Sequence, residues 1–134
     1  MPSTADPQHS LFTAIDRLYD RPQPHGPYKT ILTKYLAPDE IVHLAFRGNG
    51  WTFMDPMLII TDRRILRLRD LGFGKWSKRG EVAARDVLGA SVNRRFLFGT
   101  VEIHLRNGQA LRVQYTTDTE ADTFVDGLNR LIGR

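Results

Sequence analysis

No cysteine occurs in the 134 residues, so disulfides, thiolate metal sites and cysteine nucleophiles are all excluded. Long apolar runs are missing too. The longest, Met57-Leu58-Ile59-Ile60, falls far short of the ~20 residues a membrane-spanning helix needs. The opening MPSTADPQHS has neither the basic start nor the apolar stretch of a secretory signal, and a cytoplasmic location is expected by elimination. Histidine is sparse: His9, His25, His43 and His104 stand in unrelated contexts, with no pair at metal-ligand spacing. There is no nucleophile-elbow serine. Gly48-Asn49-Gly50 and Leu71-Gly72-Phe73-Gly74 match neither a P-loop nor a dinucleotide fingerprint. The acidic residues Asp55, Asp62, Asp70 and Asp86 fall at turns, where turn chemistry accounts for them. No catalytic residue, metal ligand or cofactor is therefore assigned, and the chain reads as a non-enzymatic module.

What is present is one domain's worth of ordinary globular material, with 41% apolar and 25% charged residues. The net charge of +4 is uneven. Residues 1–40 carry four basic and five acidic groups, residues 41–100 eleven and five, and residues 101–134 four and five. The positive field belongs to the middle of the chain, and fifteen of the nineteen basic residues are arginine. Such a field is either a solvated surface or an attractor of phosphate, anionic lipid or acidic partners.

Apolar spacing predicts a short helix from Ser10, placed as its N-cap, through Tyr19. Arg21 to Pro27 holds three prolines and a glycine, which end it. A second short helix is expected from Tyr28 to Leu36, stopped by Pro38. Residues 1–35 are read as a helical extension and residues 36–134 as the domain proper. From Ile41 the period shortens to two. Strands are expected near 41–46, 51–60, 65–69, 81–84, 88–93, 100–105 and 109–115, with a polar connection from Leu71 through Arg79. About seven short strands with frequent turns make a mainly β (α+β) fold, a barrel or sandwich.

The last hairpin predicts its own register. A two-residue Asn107-Gly108 turn would set Ile103 against Arg112, mixing apolar and polar groups on one face. A three-residue loop, Arg106-Asn107-Gly108, sets Val101 against Val113, Ile103 against Leu111 and Glu102 against Arg112, and is preferred. A C-terminal helix then runs over 117–132, with Thr117 and Glu120 as a capping box and an apolar stripe through Phe124, Val125 and Leu128. A single core is expected, including Leu44, Phe46, Ile59, Leu66, Leu68, Val101, Ile103, Leu111, Val113, Phe124, Leu128 and Leu131.

Several local patterns, in this order, resemble the bacterial pleckstrin-homology-like domains, especially the YokE-like and GRAM-like group. Leu36-Ala37-Pro38-Asp39-Glu40-Ile41 is similar to that family's L-x-x-x-E-x-hydrophobic entry to the first strand. Leu58-Ile59-Ile60-Thr61-Asp62-Arg63-Arg64-Ile65-Leu66 resembles its apolar–Thr-Asp-x-Arg–apolar hairpin. Asp86-Val87-Leu88-Gly89-Ala90-Ser91-Val92 and Phe96-Leu97-Phe98-Gly99 resemble the entries to its fifth and sixth strands. The resemblance covers residues 36–132. It implies a bent seven-stranded antiparallel barrel capped by the C-terminal α-helix, with the short N-terminal helices outside it.

Three partner classes follow. The first is a protein or peptide, bound by strand addition along the groove between the fifth strand (Leu88 to Asn93) and the terminal helix, as this fold permits. The N-terminal helices are expected either to cover such a surface or to mediate self-association into a homo-oligomer. The second is an anionic membrane surface, with Arg47, Arg67, Arg69, Lys75, Lys78 and Arg79 as headgroup ligands. Trp51, Phe53 and Trp76 would be the membrane contacts, and Phe73 lies nearby. Eukaryotic phosphoinositide-binding relatives carry several basic residues across the first two strands, where this chain has only Arg47. The third is nucleic acid, through Arg94-Arg95-Phe96-Leu97-Phe98, and it is disfavoured because the phenylalanines serve better to close the barrel.

Overall fold

The computed structural model describes residues 7–19, 22–48, 56–94, 99–115 and 119–133. Trp51, Phe53, the segment 95–98 and Thr117 lie outside them. Helix α1 (Pro7–Tyr19), a 3-10 turn at Gly26–Tyr28 and helix α2 (Lys29–Lys34) come first. Strands β1 (Val42–Arg47), β2 (Pro56–Thr61), β3 (Arg64–Gly72) and β4 (Lys75–Ala83) then form an antiparallel sheet in chain order. A second 3-10 turn, Ala84–Asp86, leads to β5 (Val87–Arg94), β6 (Gly99–Leu105) and β7 (Ala110–Tyr115), which form a second antiparallel sheet. Helix α3 (Thr119–Ile132) ends the chain.

The expected barrel needs correction. Among the described residues no strand pairing joins the two sheets, so they are not closed into a barrel. Helix α3 packs on β5 of one sheet and β1 of the other, linking by side chains two edges that no ladder joins.

The single expected core is in fact two. Phe46, Leu58, Ile60 and Ile65 face Val101, Ile103 and Val113 of the second sheet and Phe124 and Leu128 of α3. The Phe46 and Phe124 rings lie 5.1 Å apart, tilted by 34°. Met57, Ile59, Leu66, Leu68 and Trp76 lie on the opposite face of the first sheet, under Leu11, Phe12, Ile15 and Ile31 of the N-terminal helices. That accounts for the unbroken run Met57–Ile60: both faces of β2 are covered, so both sets of alternate residues are apolar. Ile59, Leu66 and Leu68 thus belong to the second cluster, while Leu131, expected in the core, is 40% exposed.

Three local readings also change. Ser10 is not an N-cap: α1 begins at Pro7, and the Ser10 hydroxyl accepts the Val42 amide of β1 at 2.9 Å. The supposed connection 75–79 is part of β4, a strand hidden from pattern reading because its outer positions are polar and it carries a bulge opposite Arg67/Leu68. The β3–β4 hairpin turns through three consecutive positive-φ residues, Gly72 (84°), Phe73 (57°) and Gly74 (74°). The last hairpin keeps the expected register: Val101 faces Val113, Ile103 faces Leu111, and Gly108 (φ 86°) takes the left-handed position. Arg112 Nε donates to Glu102 Oε2 at 2.9 Å on the outer side. Among the described residues no helix is long and apolar enough to cross a membrane.

Candidate functional site

The six basic residues singled out for headgroups do not converge. Arg47 lies opposite Met57, on the face of the first sheet that the N-terminal helices cover. Its Nη2 donates to Asp70 Oδ2 at 2.7 Å and its guanidinium stands 5.8 Å from the Trp76 ring. Arg67 and Arg69 alternate with Leu66 and Leu68 and so project from the other face. Lys78 Nζ donates to Glu81 Oε1 at 2.9 Å, while Lys75 and Arg79 are exposed along β4. Trp76, expected as a membrane contact, is 3% exposed. Its indole Nε1 donates to the Pro27 carbonyl at 2.7 Å, anchoring the first 3-10 turn.

A different cluster shapes the junction between the end of α2 and the first sheet. Glu40, fully buried, accepts from Arg64 Nε (2.9 Å) and Nη2 (2.8 Å), from the Thr61 hydroxyl (2.6 Å) and from the Ala37 amide (3.0 Å). Burial alone would push this carboxyl's pKa up. The hydrogen bonds from Arg64, Thr61 and Ala37 outweigh it and hold the pKa at about 2. Arg64 reaches on to Glu81 (3.1 Å) and the Tyr35 carbonyl (2.6 Å), so one ion pair joins four segments.

A second group of side chains meets where α3 crosses β5, at the seam between them. Asn129 of α3 donates through Nδ2 to the Ala90 carbonyl (2.9 Å) and accepts the Ala90 amide at Oδ1 (2.8 Å). One side chain thereby fills the hydrogen-bonding place of a neighbouring strand at the β5 edge. A Cβ on Gly89 would lie 3.3 Å from Asn129 Oδ1, so this close approach favours glycine there. Leu88, 55% exposed, and Leu131, 40% exposed, flank the junction in sequence on the two elements. Next to it along both elements, from Val87 and Leu131 onward, opens a hollow of about 400 Å³, lined by the buried Ile65, Val87 and Leu128 and by the exposed Arg85 and Arg106.

Sequence reasoning named β5 and α3 as a groove but missed Asn129, Arg85 and Arg106. It also placed Leu131 in the core. The available signal was Gly89, a bare position in a strand otherwise fit to carry side chains.

On the second sheet, Ser91 Oγ and His104 Nε2 lie 2.7 Å apart. Glu102, opposite Ser91 in the β5–β6 ladder, is itself paired with Arg112, and the Ser91–His104 contact reads as a cross-strand hydrogen bond. Among the described residues no group of three or more metal-ligating side chains comes together.

A family model described as the bacterial PH domain matches residues 36–130. No curated protein and no solved structure matches the chain. PH-like domains are in general non-enzymatic binding and adaptor modules for proteins or lipids. With the match running from just beyond α2 to the last turn of α3, and every strand of both sheets inside it, the chain belongs to the bacterial PH domain family.

Proposed function

We propose that the chain is a non-enzymatic adaptor that binds an extended segment of a protein partner along the seam between β5 and α3. The observation that carries this reading is the pairing of Leu88 and Leu131, exposed apolar side chains, with a β5 edge closed at Ala90 by one neutral amide. An incoming strand offers the Ala90 groups the same donor and acceptor as Asn129, and apolar side chains to cover the leucines. Selection of peptides from a displayed random library on the full chain tests it. Bound peptide should slow amide exchange across residues 88–93 and lose affinity on Leu88→Asp. Protection confined to other elements would reject the seam as the site.

A second reading, contact with an anionic bilayer, is favoured by one feature. Phe73 is fully exposed at the tip of the β3–β4 hairpin, with Leu71 exposed beside it and Arg69 and Lys75 alongside. An aromatic at a projecting tip flanked by cations suits the interfacial zone of a membrane. Flotation with vesicles of phosphatidylcholine, with and without phosphatidylserine, tests this. Wild type should float only with the anionic lipid and Phe73→Ser should not. Equal recovery of both proteins with either vesicle would remove the reading.

A further inference from the structure

The hollow next to the seam carries a chemistry of its own. Its floor is apolar, from Ile65, Val87 and Leu128, with Leu131 at its side. Its volume of about 400 Å³ is ample for one large side chain. The charged groups in its lining are Arg85, Arg106 and Asp62, with the His43 imidazole among the polar ones.

The two arginines stand together. Arg106 donates from Nε to the Arg85 carbonyl at 2.8 Å, and from its backbone amide to the Asp86 carbonyl at 2.9 Å, which holds its side chain against the Ala84–Asp86 turn. Both side chains are exposed, so neither is buried in the fold's own packing. The opposing carboxylate is already engaged: Asp62 Oδ1 accepts the Ile41 amide at 3.1 Å and lies 4.0 Å from Arg63 Nε. The carbonyl end of α3 also faces this region, but the Asn129 carbonyl accepts from the Gly133 amide at 2.7 Å. With the exposed Asp86 of the same turn counted against them, Arg85 and Arg106 still leave a net positive charge where β5 begins.

Resting on the seam as the binding site, we infer that the partner segment carries a large apolar residue that fills the hollow and, close to it in sequence, an aspartate or glutamate that meets Arg85 and Arg106. Guanidinium pairs suit a carboxylate because each presents two parallel N–H donors to it. A lysine at the same place would meet two like charges, so the pair also sets specificity by repulsion.

The probe is a synthetic fluorescein-labelled peptide taken from the library selection on the full chain. Selected sequences should set Asp or Glu near a large apolar residue. Arg85→Glu should weaken binding of such a peptide about tenfold or more. Exchanging the peptide's acid for lysine should recover much of that loss on the Arg85→Glu protein and weaken binding to wild type. Thermal melts of each variant establish that it is folded. Peptides without an acid, or an unchanged Kd for Arg85→Glu while Leu88→Asp abolishes binding, would overturn the acidic anchor and leave the seam intact. Failure to select any peptide, or binding indifferent to Leu88→Asp and Leu131→Asp alike, would overturn the seam and the anchor with it.

Discussion

Glu40 concentrates the problem of burying charge in one residue. A carboxylate taken out of water is costly unless its oxygens are hydrogen-bonded, and here four donors reach them. Its pKa falls from 4.5 in a free side chain to about 2 in the fold. A depressed folded-state value stabilises the protein above the unfolded pKa, and the gain disappears as pH falls through the folded one. Glu40 therefore contributes roughly 3 kcal/mol at neutral pH, lost between about pH 4.5 and 2. Glu40→Gln should lose about that much in denaturant unfolding at pH 7, and the deficit should shrink steadily toward pH 2. A constant deficit across that range would show that the charge is not what matters. Both halves of this knot were visible in the sequence, Glu40 in one family-like pattern and Thr61 and Arg64 in another. That they meet was not, because contact between residues 24 apart is a tertiary fact.

Edges decide much at the scale of the element. The described ladders leave β1 and β5 paired on one side only, and a helix serves each. Ser10 of α1 accepts the Val42 amide, and Asn129 of α3 takes both polar groups of Ala90. A polar side chain that occupies an edge satisfies backbone groups there without adding a strand, and a strand offering the same donor and acceptor can take its place. Asn129→Ala should cost about 1 kcal/mol or less, because Ala90 is near solvent and water can replace the amide. Its distinguishing mark is local: Ala90 amide exchange should accelerate while Ile59 and Val101, on strands paired on both sides, keep their protection. Uniform acceleration would instead make Asn129 a global packing residue. Strand legibility followed burial. The β6–β7 register was readable because Val101, Ile103 and Val113 alternate with polar neighbours that are half-buried or exposed, whereas β4, with Trp76 and Val82 as its large apolar residues, offered no period to read.

For the whole molecule, the first sheet is the middle layer of three, with the N-terminal helices on one face and the second sheet and α3 on the other. A division at residue 35 follows composition and the start of the family match, yet Leu11, Ile15 and Ile31 are themselves fully buried against that sheet. The sequence held a trace of this in Met57–Ile60, since a run apolar at every position asks for cover on both sides. What supplies the cover could not be read, because α1's amphipathic face fits self-association equally well. Removing residues 1–35 would uncover Met57, Ile59, Leu66 and Leu68 together. At about 1.5–3 kcal/mol for each buried side chain, the loss rivals the 5–15 kcal/mol that holds an average domain folded. The fragment 36–134 should therefore aggregate or melt far below the full chain, as light scattering and calorimetry would report. A fragment that stays monomeric and melts with the full chain would make the N-terminal helices a dispensable addition and leave the outer face of the sheet as an exposed surface.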